Sequence, residues 1–208
     1  MDQSANNKKL TALNLNTPSH EQLDDSMQRY FGKCQEKLGM VPNVLQAYSH
    51  NPRQLETFAN FYNCLMFGES GLTPLEREMI AVVVSSLNHC FYCLTAHGSA
   101  VRQYSGDPIL GEQLVMNYRA AELEPRQRAM LDFADKLSRQ PDRIIEADRQ
   151  ALRDAGFSDA DIWDIANICG FYNMTNRVAS AVEMAPNPQY HSLYRTAASD
   201  VRGTKNSD

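Results

Sequence analysis

Cys90 and Cys93, followed by His97, are the residues of this sequence whose types and spacing are best suited to chemistry. The reactive form of cysteine is the thiolate, and a free thiol with a pKa of about 8.5 is mostly protonated at neutral pH. A helix N-terminus lowers that pKa, and a neighbouring imidazole can take the proton. A second thiol within reach traps a sulfenic acid as a disulfide before further oxidation. On one helix, at about 100° per residue, Cys93 lies about 60° from Cys90 and His97 about 20° from it, so the three share a face. Residues three apart have Cβ atoms roughly 5–6 Å apart, near the separation a disulfide requires. Cys93 and His97, four apart, are neighbours.

Glu78 stands twelve residues before Cys90 in a segment that reads as the preceding helix. It shares a line with Leu75, Val82 and Ser85, a largely apolar face, where a carboxylate seeks a partner. His97 is the obvious one. A carboxylate that orients a histidine serving a nucleophile follows the general triad logic.

Other readings compete. A lone Cys-x-x-Cys is often a metal pair, with His97 and His89 as further ligands. Structural zinc usually draws its second ligand pair from a separate segment, and the chain has no second Cys-x-x-Cys and no His-x(3–5)-His. The pair could also be inert and buried, and Glu78 could be a solvated helix residue. Cys34, Cys64 and Cys169 stand singly among apolar neighbours and read as core thiols. His20, His50 and His191 suit surface roles better than catalysis.

The elements that must position these residues all read as helix. No alternating segment and no Asn-Gly hairpin signal appears. Ser19 to Gln22 is a capping-box pattern opening a segment to about Leu38, which Gly39 stops. Val41-Pro42-Asn43 begins a short second helix, and Pro52 a third that reaches about Phe67. Thr73-Pro74-Leu75-Glu76 is a strong start signal. The run Met79 to Leu87 suits a strand by propensity, but the capping box and the lack of a strand partner favour a buried helix. Further helices are expected over 90–104, 108–119, 125–139, 143–155, 159–183, with a possible interruption, and 188–196. Residues 1–17 and 197–208 are polar and aperiodic and read as disordered tails around one helical domain, 18–196. Gly71 to Ala81 resembles Gly156 to Ala166 at a constant offset of 85. Either the fold holds an internal helical repeat whose first copy alone carries the cysteines, or two well-capped helices look alike.

Composition bounds the function classes. The chain has 208 residues, 43% of them hydrophobic, enough for a core without disulfide staples. A net charge of -5 and no basic cluster argue against a nucleic-acid binder. The N-terminus lacks the apolar stretch of a signal peptide, and no apolar run is long enough to span a bilayer. A cytoplasmic location is the expectation, and an odd cysteine count at wide spacing fits it.

Glu78-x11-Cys90-x2-Cys93-x3-His97 resembles the active-site signature of the AhpD-like alkylhydroperoxidases, within the carboxymuconolactone decarboxylase superfamily. Leu38 to Asn43 with Asn51-Pro52, and Gly170 to Arg177, look like the entry segment and C-terminal motif of its peroxidase-related enzyme subgroup. The similarity spans roughly residues 20–195. It implies an all-α, AhpD-like helical bundle and a homo-oligomer: a dimer, trimer or hexamer. It implies reduction of alkyl hydroperoxides or hydrogen peroxide by a Cys90/Cys93 dithiol–disulfide cycle, regenerated by a thiol or protein reductant, with no haem or flavin. On this reading Cys93, one turn from His97, is the favoured attacking thiolate, Cys90 resolves, His97 is the base and Glu78 orients it. Where well-studied members carry histidine before the second cysteine this chain has Tyr92, a poor base at neutral pH. A redox-sensing or disulfide-exchange module acting on a protein partner would use the same cysteines. Lactone decarboxylation, the other chemistry of the superfamily, calls for no such pair.

Overall fold

Local side chains mark where each helix begins. A computed structural model describes residues 10–196. Among them are nine α-helices, several 3-10 turns and no strand. Thr73 accepts a hydrogen bond from the Glu76 amide at 3.1 Å, and Glu76 Oε2 accepts from the Thr73 amide at 2.8 Å. This box starts α4, Pro74–Leu87. Its residues Met79 to Val84 are almost wholly excluded from solvent. The β-branched run that suits a strand is held helical by the cap and by packing chiefly against α5 (Phe91–Ser105), α6 (Pro108–Asn117), α7 (Pro125–Arg139) and α9 (Asp159–Ala181). Tertiary burial decides here, as it commonly does over propensity.

α9 runs uninterrupted from a second capping box, Ser158 with Asp161. Its start lies beside that of α4. Arg126 joins the two, donating to Glu76 Oε1 at 2.8 Å, to the Gly156 carbonyl at 2.9 Å and to the Gly71 carbonyl at 3.2 Å. Gly71 lies close against the Asp161 carboxylate, which a Cβ there would push aside. At the far ends, Asn88 donates to Asn173, its counterpart at the offset of 85, at 3.1 Å. The offset of 85 thus continues past the two similar segments, and residues equivalent by it meet between α4 and α9.

A second layer packs beside this core. It comprises α1 (Asp25–Leu38), α2 (Asn43–Tyr48) and α3 (Pro52–Phe67), which bury Met27, Phe31, Leu45 and Leu55 together. α8 (Glu146–Asp154) closes the opposite side against α7.

Several expected boundaries shift. The Ser19 box caps only a 3-10 turn, His20–Gln22; α1 starts later, with Asp24 accepting from the Ser26 and Met27 amides. The segment expected at 143–155 divides into a 3-10 turn and α8, and 188–196 contains only the turn Pro188–His191. Residues 10–17, expected in the disordered tail, are tied down: the Ala12 amide donates to the Val182 carbonyl at 2.8 Å, and the Ala185 amide to Leu10 at 3.0 Å. The expected disorder of 1–9 and 197–208 concerns segments outside the described residues. No helix among the described residues is long and apolar enough to cross a membrane.

Candidate active site

Between α4 and α5 the chain breaks for three residues. Asn88 ends α4, and His89 takes a left-handed backbone with φ of 52°. Cys90 follows in an extended conformation as the N-cap of α5. Cys90 therefore precedes the helix that carries Cys93 and His97, and the shared-face geometry holds strictly only for the latter two. The correction matters chemically. An N-cap side chain faces the free amides of the first turn, where the helix dipole favours an anion.

Cys90 is held low, at a pKa of about 6. The main cause is the hydrogen bond from the Cys93 thiol; the Cys93 amide, the Ser180 hydroxyl and the nearby His97 ring add to it, against the cost of burial. Cys93 is pushed well above the usual thiol range by that same partnership, by burial and by the charge on Cys90. Ser85 and Asn176 pull the other way through hydrogen bonds. The two thiols titrate as one unit. At neutral pH they share one proton, with the charge resting on Cys90.

His97 Nδ1 lies 2.7 Å from Glu78 Oε2, and both side chains are largely buried. A carboxylate only accepts, so Nδ1 is the donor and Nε2 is the free ring nitrogen. Tyr172 packs edge-on against the ring, centroids 4.7 Å apart. Its hydroxyl is 3.5 Å from Nδ1, too long to compete with Glu78. The four residues expected to form a site therefore converge.

The partners on α9 were not legible as such. Asn176, fully buried, donates to Ser85 Oγ at 3.0 Å and accepts from Asn88 at 3.0 Å. These groups form a polar wall behind Cys93. The sequence signal was a polar residue at each of two buried stripes: Ser85 after Met79 to Val84, and Asn176 in register with Ile168 and Tyr172. Of the single cysteines, Cys169 is buried as expected, Cys34 is partly buried, and Cys64 is exposed, contrary to the reading of a core thiol. No group of three His, Cys, Asp or Glu among the described residues is arranged to hold a metal ion.

Each thiol opens on its own cavity. Cys93 and His97 line one of about 460 Å³ between α5, α9 and the α1–α3 layer. Cys90 and Ser180 line another, of about 520 Å³, which exposed Phe91 also lines.

Tyr92 is structural. Its hydroxyl accepts from the Val44 amide at 3.0 Å, which ties the start of α2 to α5. Burial pushes its pKa well above the ordinary value, so it is no base. The Tyr92→Phe variant strands that amide, which costs about 1–3 kcal/mol in denaturant unfolding. Oxidation of the cysteine pair by peroxide keeps its wild-type rate in stopped-flow mixing; a collapse of that rate in the folded variant would give Tyr92 a chemical role.

A family model described as Carboxymuconolactone decarboxylase family matches residues 52–136, which include all four expected site residues. The chain is 63% identical to an uncharacterized peroxidase-related protein from Silicibacter sp. TM1040, covering 90% of this chain and 97% of that one with a TM-score of 0.87. It is 39% identical to a peroxidase-related protein from Ralstonia eutropha JMP134 described as an alkylhydroperoxidase AhpD core, covering 91% and 98% with a TM-score of 0.87. The debrominase Bmp8, solved with 2,3,4-tribromopyrrole, shares the fold at 18% identity and a TM-score of 0.72, over 89% of this chain and 95% of that one. No curated protein matches the chain significantly.

Proposed function

Because the chain belongs to the AhpD-like group of the carboxymuconolactone decarboxylase superfamily, we propose that it is a thiol peroxidase working through a Cys90/Cys93 dithiol–disulfide cycle. The observation that carries the reading is the coupled thiol pair at the N-terminus of α5, ionised below neutral pH and flanked by the Glu78–His97 pair.

Cys93 faces the aromatic-lined cavity beside His97, so it is the sulfur that meets the peroxide. The Cys90 thiolate takes the Cys93 proton along their hydrogen bond as Cys93 Sγ attacks the outer oxygen of the hydroperoxide. An S–O bond forms, the O–O bond breaks, and the leaving alkoxide takes a proton from solvent, relayed by His97 Nε2, to depart as an alcohol. Glu78 keeps that ring in place. The products are the Cys93 sulfenic acid and a neutral Cys90 thiol. Cys90 Sγ then attacks Cys93 Sγ; the hydroxyl leaves with the Cys90 proton as water, and a disulfide remains. Two external thiols, or one dithiol, entering by the cavity on the Cys90 side, are oxidised to a disulfide and return the pair to its reduced dithiol state. Compared with the sequence-based expectation, the base at Cys93 is the neighbouring thiolate, and His97 serves the leaving group.

The test is peroxide-dependent formation of the Cys90–Cys93 disulfide, followed by mass spectrometry and stopped-flow kinetics. The second-order rate far exceeds that of free cysteine. It rises with pH through about 6, where Cys90 loses its proton, and levels above it; below that pH the base is protonated and the rate falls. A rate no faster than free cysteine, with fast exchange against a protein disulfide, would instead identify a disulfide-exchange module.

A further inference from the structure

The cavity at Cys93 is far larger than a small peroxide needs. A volume of about 460 Å³ falls in the range of roughly 300–1,000 Å³ typical of pockets that bury a drug-sized ligand. Its walls are mainly aromatic and aliphatic, from Tyr48, Phe58, Tyr62 and Met184 among others. Charge is confined to one part of the lining. Lys33 and Lys37, one turn apart on α1, line the cavity and are exposed to solvent. No Asp or Glu lines it. Neither lysine is ion-paired among the described residues. In a chain of net charge -5, two unpaired cations in the lining of a mainly apolar cavity favour an anionic group there.

We propose that this cavity selects hydroperoxides of the fatty-acid type, with an apolar body along the aromatic walls and a terminal carboxylate held by Lys33 and Lys37. The proposal rests on the peroxidase reading for the reacting end of the ligand, but the binding geometry is separable from it. An apolar tail removed from water contributes affinity in proportion to its buried area, whatever it carries. A carboxylate held by two ammonium groups adds charge-assisted hydrogen bonds that an alcohol of the same length does not make. The lysines thus distinguish acids from neutral lipids, and the aromatic walls distinguish long chains from short ones.

Calorimetry with decanoate and decanol, neither a peroxide, tests the binding alone on the full chain. Decanoate binds at least about tenfold more tightly than decanol. The Lys33→Met/Lys37→Met variant, which keeps the apolar stems of two exposed side chains, binds both alike. Cys34 lines the same cavity, whereas exposed Cys64 does not. Decanoate therefore slows maleimide labelling of Cys34 and leaves that of Cys64 unchanged. Equal binding of acid and alcohol, a preference that survives in the double variant, or binding without protection of Cys34 would each overturn the proposal. Decanoate binding in this manner by a protein that fails to reduce peroxides would sink the peroxidase reading and leave the site standing. Rapid peroxide reduction with no preference for acids would do the reverse.

Discussion

Replacing Cys93 with serine lowers the rate of peroxide consumption by at least about 10³-fold, because the other thiol lining that cavity, Cys34, is pushed up by burial and has, among the described residues, no thiolate or histidine beside it to take its proton. The Cys90→Ser variant behaves differently. It keeps the attacking sulfur but loses both the base and the resolving thiol. It completes one slow turnover and stops as the Cys93 sulfenic acid, which a dimedone-type reagent captures. The proton arrangement gives a second signature. The largest influence holding Cys90 at about 6 is the Cys93 thiol. In Cys93→Ser the remaining thiol therefore titrates nearer the ordinary range, visible in its ultraviolet thiolate absorbance. A full single turnover in Cys93→Ser, with the trapped acid on Cys90, would reverse the assignment of the two sulfurs.

The His97→Asn variant loses about 10²–10⁴-fold in the same assay, the usual size of a general acid or base contribution. Glu78→Gln loses less, because the amide oxygen still accepts from Nδ1 while the charge behind the ring is gone. The two residues form a 2.7 Å pair, so the double variant falls little below His97→Asn alone. A merely structural pair would not change how the rate depends on the alcohol released. Here, losing His97 makes the rate sensitive to leaving-group acidity, since a poor leaving alkoxide then departs without help. Cumene hydroperoxide against a more acidic peracid provides the comparison; an unchanged ratio of rates in His97→Asn would remove His97 from the proton path.

Much of this arrangement was legible before any coordinates, and the reason is locality. Caps such as Thr73 with Glu76 or Asn51 before Pro52 act within one turn, so α3 and α4 begin where the sequence signals them. Glu78 and His97 were paired from helix phase and the cost of leaving a carboxylate alone on an apolar face. What was not legible came from two sources. The break before α5 depends on a left-handed backbone at His89, which carries no glycine to announce it. Ser180, Asn176 and Tyr172 lie some 75 to 91 positions from the groups they touch, and only packing brings them there. The similarity at an offset of 85 carried part of this. Asn88 and Asn173 correspond and touch, yet the chain bends after the first and continues as helix through the second. Only the interrupted copy has helix-end amides to offer a thiol.

That helix end also sets the redox poise. Hydrogen bonds and a helix dipole aimed at Cys90 stabilise its thiolate, which exists only while the pair is reduced. A disulfide carries no charge and gains nothing from them. Whatever lowers the Cys90 pKa therefore makes the oxidised pair a readier electron acceptor. A thiol of modest reducing strength suffices to regenerate it, and the advantage fades in acid as Cys90 takes up its proton at about 6.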